Sequence, residues 1–507
     1  MNISDYRRDF ADYSSATELA HYRHRAGFEP ELRTEPIYER YGDLFTLENI
    51  SALKTAESET PAHLETERAG LRALYSAACI GYLEAEVREL TDERSRCEGA
   101  ARVDWNGESI PLNSVQKILT NEPDAARRRE LAARWSDALA ACDDLRAARF
   151  QSFHDSARAL GFASYRALVS EITGTDLLKL AQQTNAFLDQ TERAYTSALA
   201  HATARDLPGV SFTDLHYADY FFFQRYTRLD PFFPAQEVLP TYQAAMRGLG
   251  IRVERQQNIH IDDEPRPLKN PRAACFRIHP PDDVRLLLAP VGGVYDYTTL
   301  FHEAGHAQHF GWASRELFER YPEFVYAPDH ATTEGYAFLL SHLLQDDLWL
   351  SEHRNIADPS RARELRREIA LVTFHQIRRL CGKLSYEITL HDSPQLQSEQ
   401  LAQTYTAQIS QATGFRRTPA HYLMDVDDGF YSAAYLRALA FEVSLREHLL
   451  TRWGRRWWAS QKAGDELIDL WNTASRYSAE ELARLIGFGE ISFELLAETL
   501  MAAIKRD

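Results

Sequence analysis

Apolar residues recur along most of this chain at spacings of three and four, the period of a helix with one buried face. Leu131, Trp135, Leu139, Cys142 and Leu145 keep that spacing, with Pro123 near the start and Asn121 as the cap residue. The same period fills residues 60–95, 175–205, 335–350, 360–390 and 432–452. Ser478-Ala479-Glu480-Glu481 has the form of a capping box ahead of Leu482, Leu485 and Ile486, and Gly487 closes that helix. Strand signals are confined to residues 251–290. Residues 274–279 and 284–289 read as two short strands joined by the turn Pro280-Pro281-Asp282-Asp283, and residues 251–254 read as a third. Residues 262–267 read as an exposed loop. The pattern predicts a mainly α protein with one small antiparallel β-sheet, an N-terminal helical lobe over 1–205 and a second lobe over 206–507.

Composition narrows the class. Of 507 residues, 44% are hydrophobic and 26% charged, as in ordinary globular proteins. No apolar run approaches the length of a membrane span, and the first ten residues lack a secretory apolar segment. A formal net charge of −17 argues against nucleic acid as a partner, because phosphate binding needs a basic surface. No phosphate-binding glycine loop or dinucleotide fingerprint is present. The five cysteines, Cys79, Cys97, Cys142, Cys275 and Cys381, show no metal or redox spacing. They read as buried or free thiols, with a cytoplasmic location.

The chemistry concentrates in His302-Glu303-Ala304-Gly305-His306, a match to HExxH. Two histidines four apart share a helical face, so both imidazoles can bind one Zn²⁺. Glu303 would flank that ion and accept a proton from water. With 18 histidines in the chain, such a match arises by chance in roughly one chain in twenty, so context has to carry it. The bland alternative is a surface helix with two satisfied histidines.

Upstream, Gly292-Gly293 breaks the chain, and Asp296 or Thr298 can cap a helix entering the motif. The hairpin before it offers an edge near 284–289 to which an extended peptide could add; the plain alternative is a small sheet that braces the helix. Downstream, Glu334 lies in the first turn of a second helix, with Thr332 or Thr333 as cap. It is the expected third ligand of a two-histidine-plus-glutamate site. Glu316, Glu319 and Glu323 are rivals in a stretch that reads as a solvated face or loop, and His309 reads as a packed or supporting histidine. Farther on, Tyr431 and Tyr435 are four apart and could present hydroxyls to a developing oxyanion, with His421 as a further donor. An aromatic core stripe is the alternative for that spacing.

The stretch from Asp296 through His302-Glu303-Ala304-Gly305-His306 to His309 resembles the metal helix of the thimet oligopeptidase and oligoendopeptidase F family of zinc peptidases. It includes Thr299-Leu300-Phe301, Gly305, and a histidine three residues beyond His306. Tyr220-Phe221-Phe222 through Pro231-Phe232-Phe233-Pro234, with Val238-Leu239, resembles that family's segment ahead of its small sheet. The resemblance spans about residues 215–445. It implies one Zn²⁺ per chain on His302, His306 and Glu334, with Glu303 as general base. It also implies short peptide substrates and a deep channel between two helical lobes. The chain departs from the family's later tyrosine pattern, having Leu436 and Ala438 in those places, and His421 stands farther from Tyr431. Tyr435, Tyr431 and His421 therefore remain the oxyanion donors to consider, with Arg437 as a substitute. The departure also keeps open two other readings, a zinc hydrolase for a non-peptide or modified amide, and a catalytically silent peptide-binding scaffold.

Overall fold

In the computed structural model, which describes residues 1–505, the chain is mainly α-helical. Eight helices position the residues of interest: α1 (Ile3–Arg25), α2 (Arg88–Ala100), α3 (Ala125–Ala140), α4 (Asp143–Ala159), α5 (Val294–Gly311), α6 (His330–Ser341), α7 (Pro359–His391) and α8 (Tyr431–Trp453). The strands are β1 (Arg102–Trp105), β2 (Glu108–Pro111), β3 (Ile259–Asp262), β4 (Ala274–His279) and β5 (Asp283–Leu287). The chain forms two compact units, each assembled from separate stretches of sequence. One holds Met1–Gly81, Thr227–Arg366 and Arg437–Leu496; the other holds Tyr82–Tyr226, Arg367–Leu436 and the residues from Ala497.

The first unit contains a three-stranded sheet in the order β3-β5-β4. β4 runs antiparallel to β5 and β3 runs parallel to it, so the sheet is mixed where an antiparallel one was expected. Ala274, Phe276 and Ile278 alternate inward along β4 and join Leu287 in one apolar cluster, as period-2 patterning requires. Helix α1 supplies Tyr22 to that cluster, its ring 5.5 Å from that of Phe276. Two expectations fail here. Residues 253–255 form a tight helical turn rather than a strand, because the Ile251 N–H bonds back to the Met246 carbonyl (2.9 Å) and closes the preceding helix. The segment 284–289 provides the central strand, so the free edges belong to β3 and β4. The exposed loop expected at 262–267 is present from Asp263, with Asp263, Glu264, Pro265 and Pro267 exposed, while Asp262 ends β3. The Asp262 carboxylate accepts from Tyr22 Oη (2.9 Å) and Lys269 Nζ (3.0 Å), which holds the loop onto the sheet.

The second unit has a β1–β2 hairpin that the hydrophobic pattern did not reveal. Its turn is Asn106-Gly107, with φ of 53° and 81°, the left-handed pair that favours Asn-Gly between paired strands. Val103, Trp105 and Ile110 of the hairpin pack with Leu131, Ala132 and Leu139 of α3. That helix is capped by Asp124, whose carboxylate accepts from the Ala126 and Arg127 N–H groups, not by Asn121. Cys97 and Cys142 form a disulfide with Cα atoms 6.2 Å apart, which corrects the expectation of thiols throughout; Cys79, Cys275 and Cys381 stay outside any disulfide. The cysteines therefore give no argument for a reducing compartment. No described helix is long and apolar enough to cross a membrane.

Candidate metal centre

Helix α5 begins with the chain reversal at Gly292 and Gly293, at φ of 86° and 89°. Gly293 is the N-cap, and Asp296 lies inside the first turn, reaching back to accept from the Val291 and Gly292 N–H groups (2.8 and 2.9 Å). The capping role expected of Asp296 or Thr298 is thus replaced by a brace across the turn. Leu300, Phe301, Ala304 and Ala307 are buried on α5, while His302, Glu303 and His306 are only half-buried.

Helix α6 starts at an Asp329 cap that accepts from the Ala331 N–H (3.1 Å); Thr332 and Thr333 are inside the helix. Asp329 is itself fixed. Arg437 donates to both its oxygens (3.1 and 3.0 Å) and the Ala479 N–H to one (3.1 Å). Arg437 also grips Glu480 at 2.7 and 2.6 Å. Its guanidinium thus commits four of its five N–H donors to anchoring the start of α6, away from the oxyanion role the sequence had offered it. Nothing in the sequence pairs residues 329, 437 and 480; only the fold does.

The two helices pack closely because Gly305 has no side chain: a Cβ there would lie 2.5 Å from Ala337 Cα and 2.9 Å from the Tyr336 carbonyl oxygen. Gly335 serves the next layer, its missing Cβ leaving room for the Phe441 ring. This approach delivers Glu334 to the histidines. Its Oε2 stands 3.1 Å from His302 Nε2 and 3.6 Å from His306 Nε2. One donor atom from each of the three lies within 4.8 Å of the others. Burial alone would raise the Glu334 carboxyl, but the His306 and His302 imidazoles outweigh it and hold it well below the usual carboxylate range. Burial likewise opposes a charged His306, and Glu334 overrides it in the upward direction. The Glu334 carboxylate therefore favours positive charge at the His306 imidazole in a poorly solvated place, where a metal cation would take the place of the proton.

Glu303 stands outside that trio but close enough for its charge to act on His306. Its Oε2 accepts the Cys275 N–H at 2.9 Å, so the free edge of β4 holds this carboxylate in one orientation. That bond pairs a strand and a helix 28 residues apart and has no sequence signature. His309 is buried against Tyr336, with ring centroids 4.9 Å apart, and burial lowers it to about 3, so it is a neutral packed residue. Among the rival carboxylates, Glu323 is fully buried and bound to Arg7 (2.8 Å), not on a solvated face; Glu316 and Glu319 lie on the short helix Arg315–Arg320.

The other expected residues belong to the second unit. Tyr431 and Tyr435 lie one turn apart on α8, half-buried, their rings edge-on at 4.9 Å. His421 is buried in a helical turn, with Nε2 3.2 Å from Ser136 Oγ and its ring against Trp135 and Tyr217. Burial lowers it to about 4 and keeps it neutral.

No family sequence profile and no curated protein matches this chain. Its fold does have a counterpart among solved structures. A Bacillus anthracis protein described as a "putative oligoendopeptidase F" aligns over 97% of this chain and 89% of its own length, with a TM-score of 0.65 at 15% identity. At that identity the likeness is one of fold.

Proposed function

We propose that this chain is a zinc-dependent oligopeptidase in which His302, His306 and Glu334 hold the ion. The observation that carries the reading is the spacing of the three donors. Ligands of one tetrahedral zinc at about 2.0–2.1 Å stand about 3.3 Å apart. The distances from Glu334 to the two imidazoles, 3.1 and 3.6 Å, bracket that value. Two imidazoles and a carboxylate also suit zinc by ligand type, and leave a fourth position for water or substrate. When bound, the ion supplies a Lewis acid and brings water to a pKa near about 7.

The protein's own groups do the rest. Glu303, steadied by the Cys275 N–H, takes the proton of the attacking water and returns it to the leaving amine. Tyr435 or Tyr431 donates a hydroxyl hydrogen to the oxyanion that forms at the scissile carbonyl. His421 is the weaker of the three candidates, since its imidazole is already packed and hydrogen-bonded in a core. The free edge of β4 offers backbone groups to an extended substrate, the role first assigned to residues 284–289. Short peptides are the substrate class that the fold likeness and the metal motif jointly support.

The test uses Glu303→Gln. The variant is expected to retain one equivalent of zinc by elemental analysis and to lose chelator-sensitive hydrolysis of a mixed peptide library. Wild-type turnover by the variant would remove Glu303 from the mechanism. A metal-replete wild type that leaves every peptide intact while cleaving small modified amides would favour the non-peptide reading.

A further inference from the structure

The second unit has a partly open cavity of ≈ 220 Å³ between α2, α4 and the segment that follows His421. Arg94 and Glu98 line it from α2, and Arg146 and Arg149 from α4. Three guanidinium groups around one small cavity stand out in a chain whose net charge is −17. The remaining wall is apolar, formed by Phe150, Leu423, Met424 and Val426.

Two of the arginines already hold carboxylates at short range. Arg146, 3% exposed at its side chain, bonds Glu98 (2.8 Å), Asp143 (2.7 Å) and the Leu139 carbonyl (2.7 Å). Arg149, 7% exposed, takes the Asp428 carboxylate with both terminal nitrogens and Thr91 with Nε. Arg94 is different. Its ion pair with Glu98 is a long 4.0 Å, to the same oxygen that Arg146 already holds at 2.8 Å. Its Nε is buried without a hydrogen-bond partner. Burial, and then the charge of Arg149, depress the Arg94 guanidinium below its ordinary value, and Glu98 and Asp428 only partly offset them. The Cys97–Cys142 disulfide fastens this arrangement, with Cys97 one turn beyond Arg94 and Cys142 immediately before α4.

We propose that this cavity binds a small apolar carboxylate, its charge on Arg94 and its carbon body against Phe150, Met424 and Val426. A guanidinium with an open edge matches a carboxylate in a planar, bidentate way. The mixed lining, one charged corner and an apolar wall, fits an amphipathic ligand better than a bare oxyanion. The chemistry is shared by a free branched carboxylic acid and by the C-terminus of a peptide ending in a branched residue. The small volume favours the free acid. This inference is independent of the proposed peptidase site, whose metal ligands lie in the other unit.

The experiment is calorimetric titration of the full, oxidised chain with 4-methylpentanoate, with N-acetyl-Ala-Leu, with 4-methylpentanamide and with inorganic phosphate. Saturable binding of either carboxylate is expected, and which of the two binds tells the source. The neutral amide is expected to give no heat of binding. Arg94→Gln is expected to weaken the carboxylate at least about tenfold, the usual scale for losing a charged hydrogen bond, and Arg94→Lys less so. Val426→Asp, which leaves the arginines in place, is expected to weaken it too. Circular dichroism of each variant verifies that the fold is retained. The proposal is overturned if neither carboxylate binds at up to about 10 mM, a Kd too weak to matter. It is equally overturned if phosphate binds as tightly as both, or if folded Arg94→Gln binds like wild type.

Discussion

Gly305 and Ala337 touch through bare backbone, so closely that one added methyl on Gly305 would fall 2.5 Å from Ala337 Cα. The first residue sits in the HExxH turn of α5 and the second one turn beyond Glu334 on α6. Their contact sets the distance at which a carboxylate on one helix meets two imidazoles on the other. Gly305→Ala should therefore act twice. It overpacks a buried helix crossing, at about 1–3 kcal/mol, and it moves Glu334 away from His302 and His306. Chemical denaturation should show the first effect. A competition assay against a chromophoric chelator should show weaker metal binding, although no ligand has been altered. Unchanged metal affinity in the folded variant would mean that the crossing does not govern the site.

Glu334→Gln keeps the shape of the side chain and removes its charge. The metal should bind at least about tenfold more weakly, since even supporting groups around such sites are worth about 10–100-fold. Adding zinc should raise the unfolding midpoint of wild type and much less that of the variant, because a ligand bound only to the native state stabilises by mass action. Equal midpoint shifts would exclude Glu334 as a ligand.

Tyr435 and His421 should part company under substitution. Tyr435→Phe is expected to lower kcat by about 10²–10³, with little change in stability, if its hydroxyl meets the oxyanion. His421→Gln should instead cost stability, about 1–3 kcal/mol, by disturbing a buried imidazole bonded to Ser136 and packed on Trp135. Steady-state kinetics paired with urea titration separates the two. A large kcat loss with unchanged stability in His421→Gln would restore it as a donor.

Stability should fall with rising pH in a window set by Glu387 on α7. Burial raises its carboxyl from 4.5 to about 8, and the neighbouring Lys383 only partly offsets this. Below about pH 4.5 both folded and unfolded forms carry the proton, and there is no cost. Between there and about pH 8 the unfolded chain has lost the proton that the folded one keeps, so each pH unit costs up to about 1.4 kcal/mol. Above about pH 8 the slope ends. Urea titrations across that range should show this slope as the difference between wild type and Glu387→Gln. Parallel curves would mean that Glu387 ionises normally.

Helices with long apolar stripes were legible in the sequence. The pattern over 175–205, 360–390 and 432–452 matches the observed Leu177–Asp206, Pro359–His391 and Tyr431–Trp453 almost residue for residue. The capping box at Ser478 and Glu481 forms with both of its bonds. Short elements were less legible. The Asn106-Gly107 turn carried a hairpin signal, but four-residue strands flanking it are too brief for periodicity to register. Strand order in the sheet was not legible at all. Whether β5 is central depends on what pairs with it from elsewhere in the chain, and alternation within one strand is blind to that.

The chain's own sequence thus determined that there would be a helix presenting His302 and His306 on one face, because a four-residue spacing fixes that geometry locally. It determined a mainly helical fold for the same reason. Glu334 was expected beside those imidazoles from its place at the start of the next helix, but tertiary structure alone decided how closely it would approach them, that Cys275 would hold Glu303, and that Arg437 would anchor α6. It alone joined Cys97 to Cys142 and drew Arg94, Arg146 and Arg149 around a cavity. Each of these pairings closes a long loop of chain, and a contact between distant residues is set by how whole faces pack, not by any spacing along the sequence.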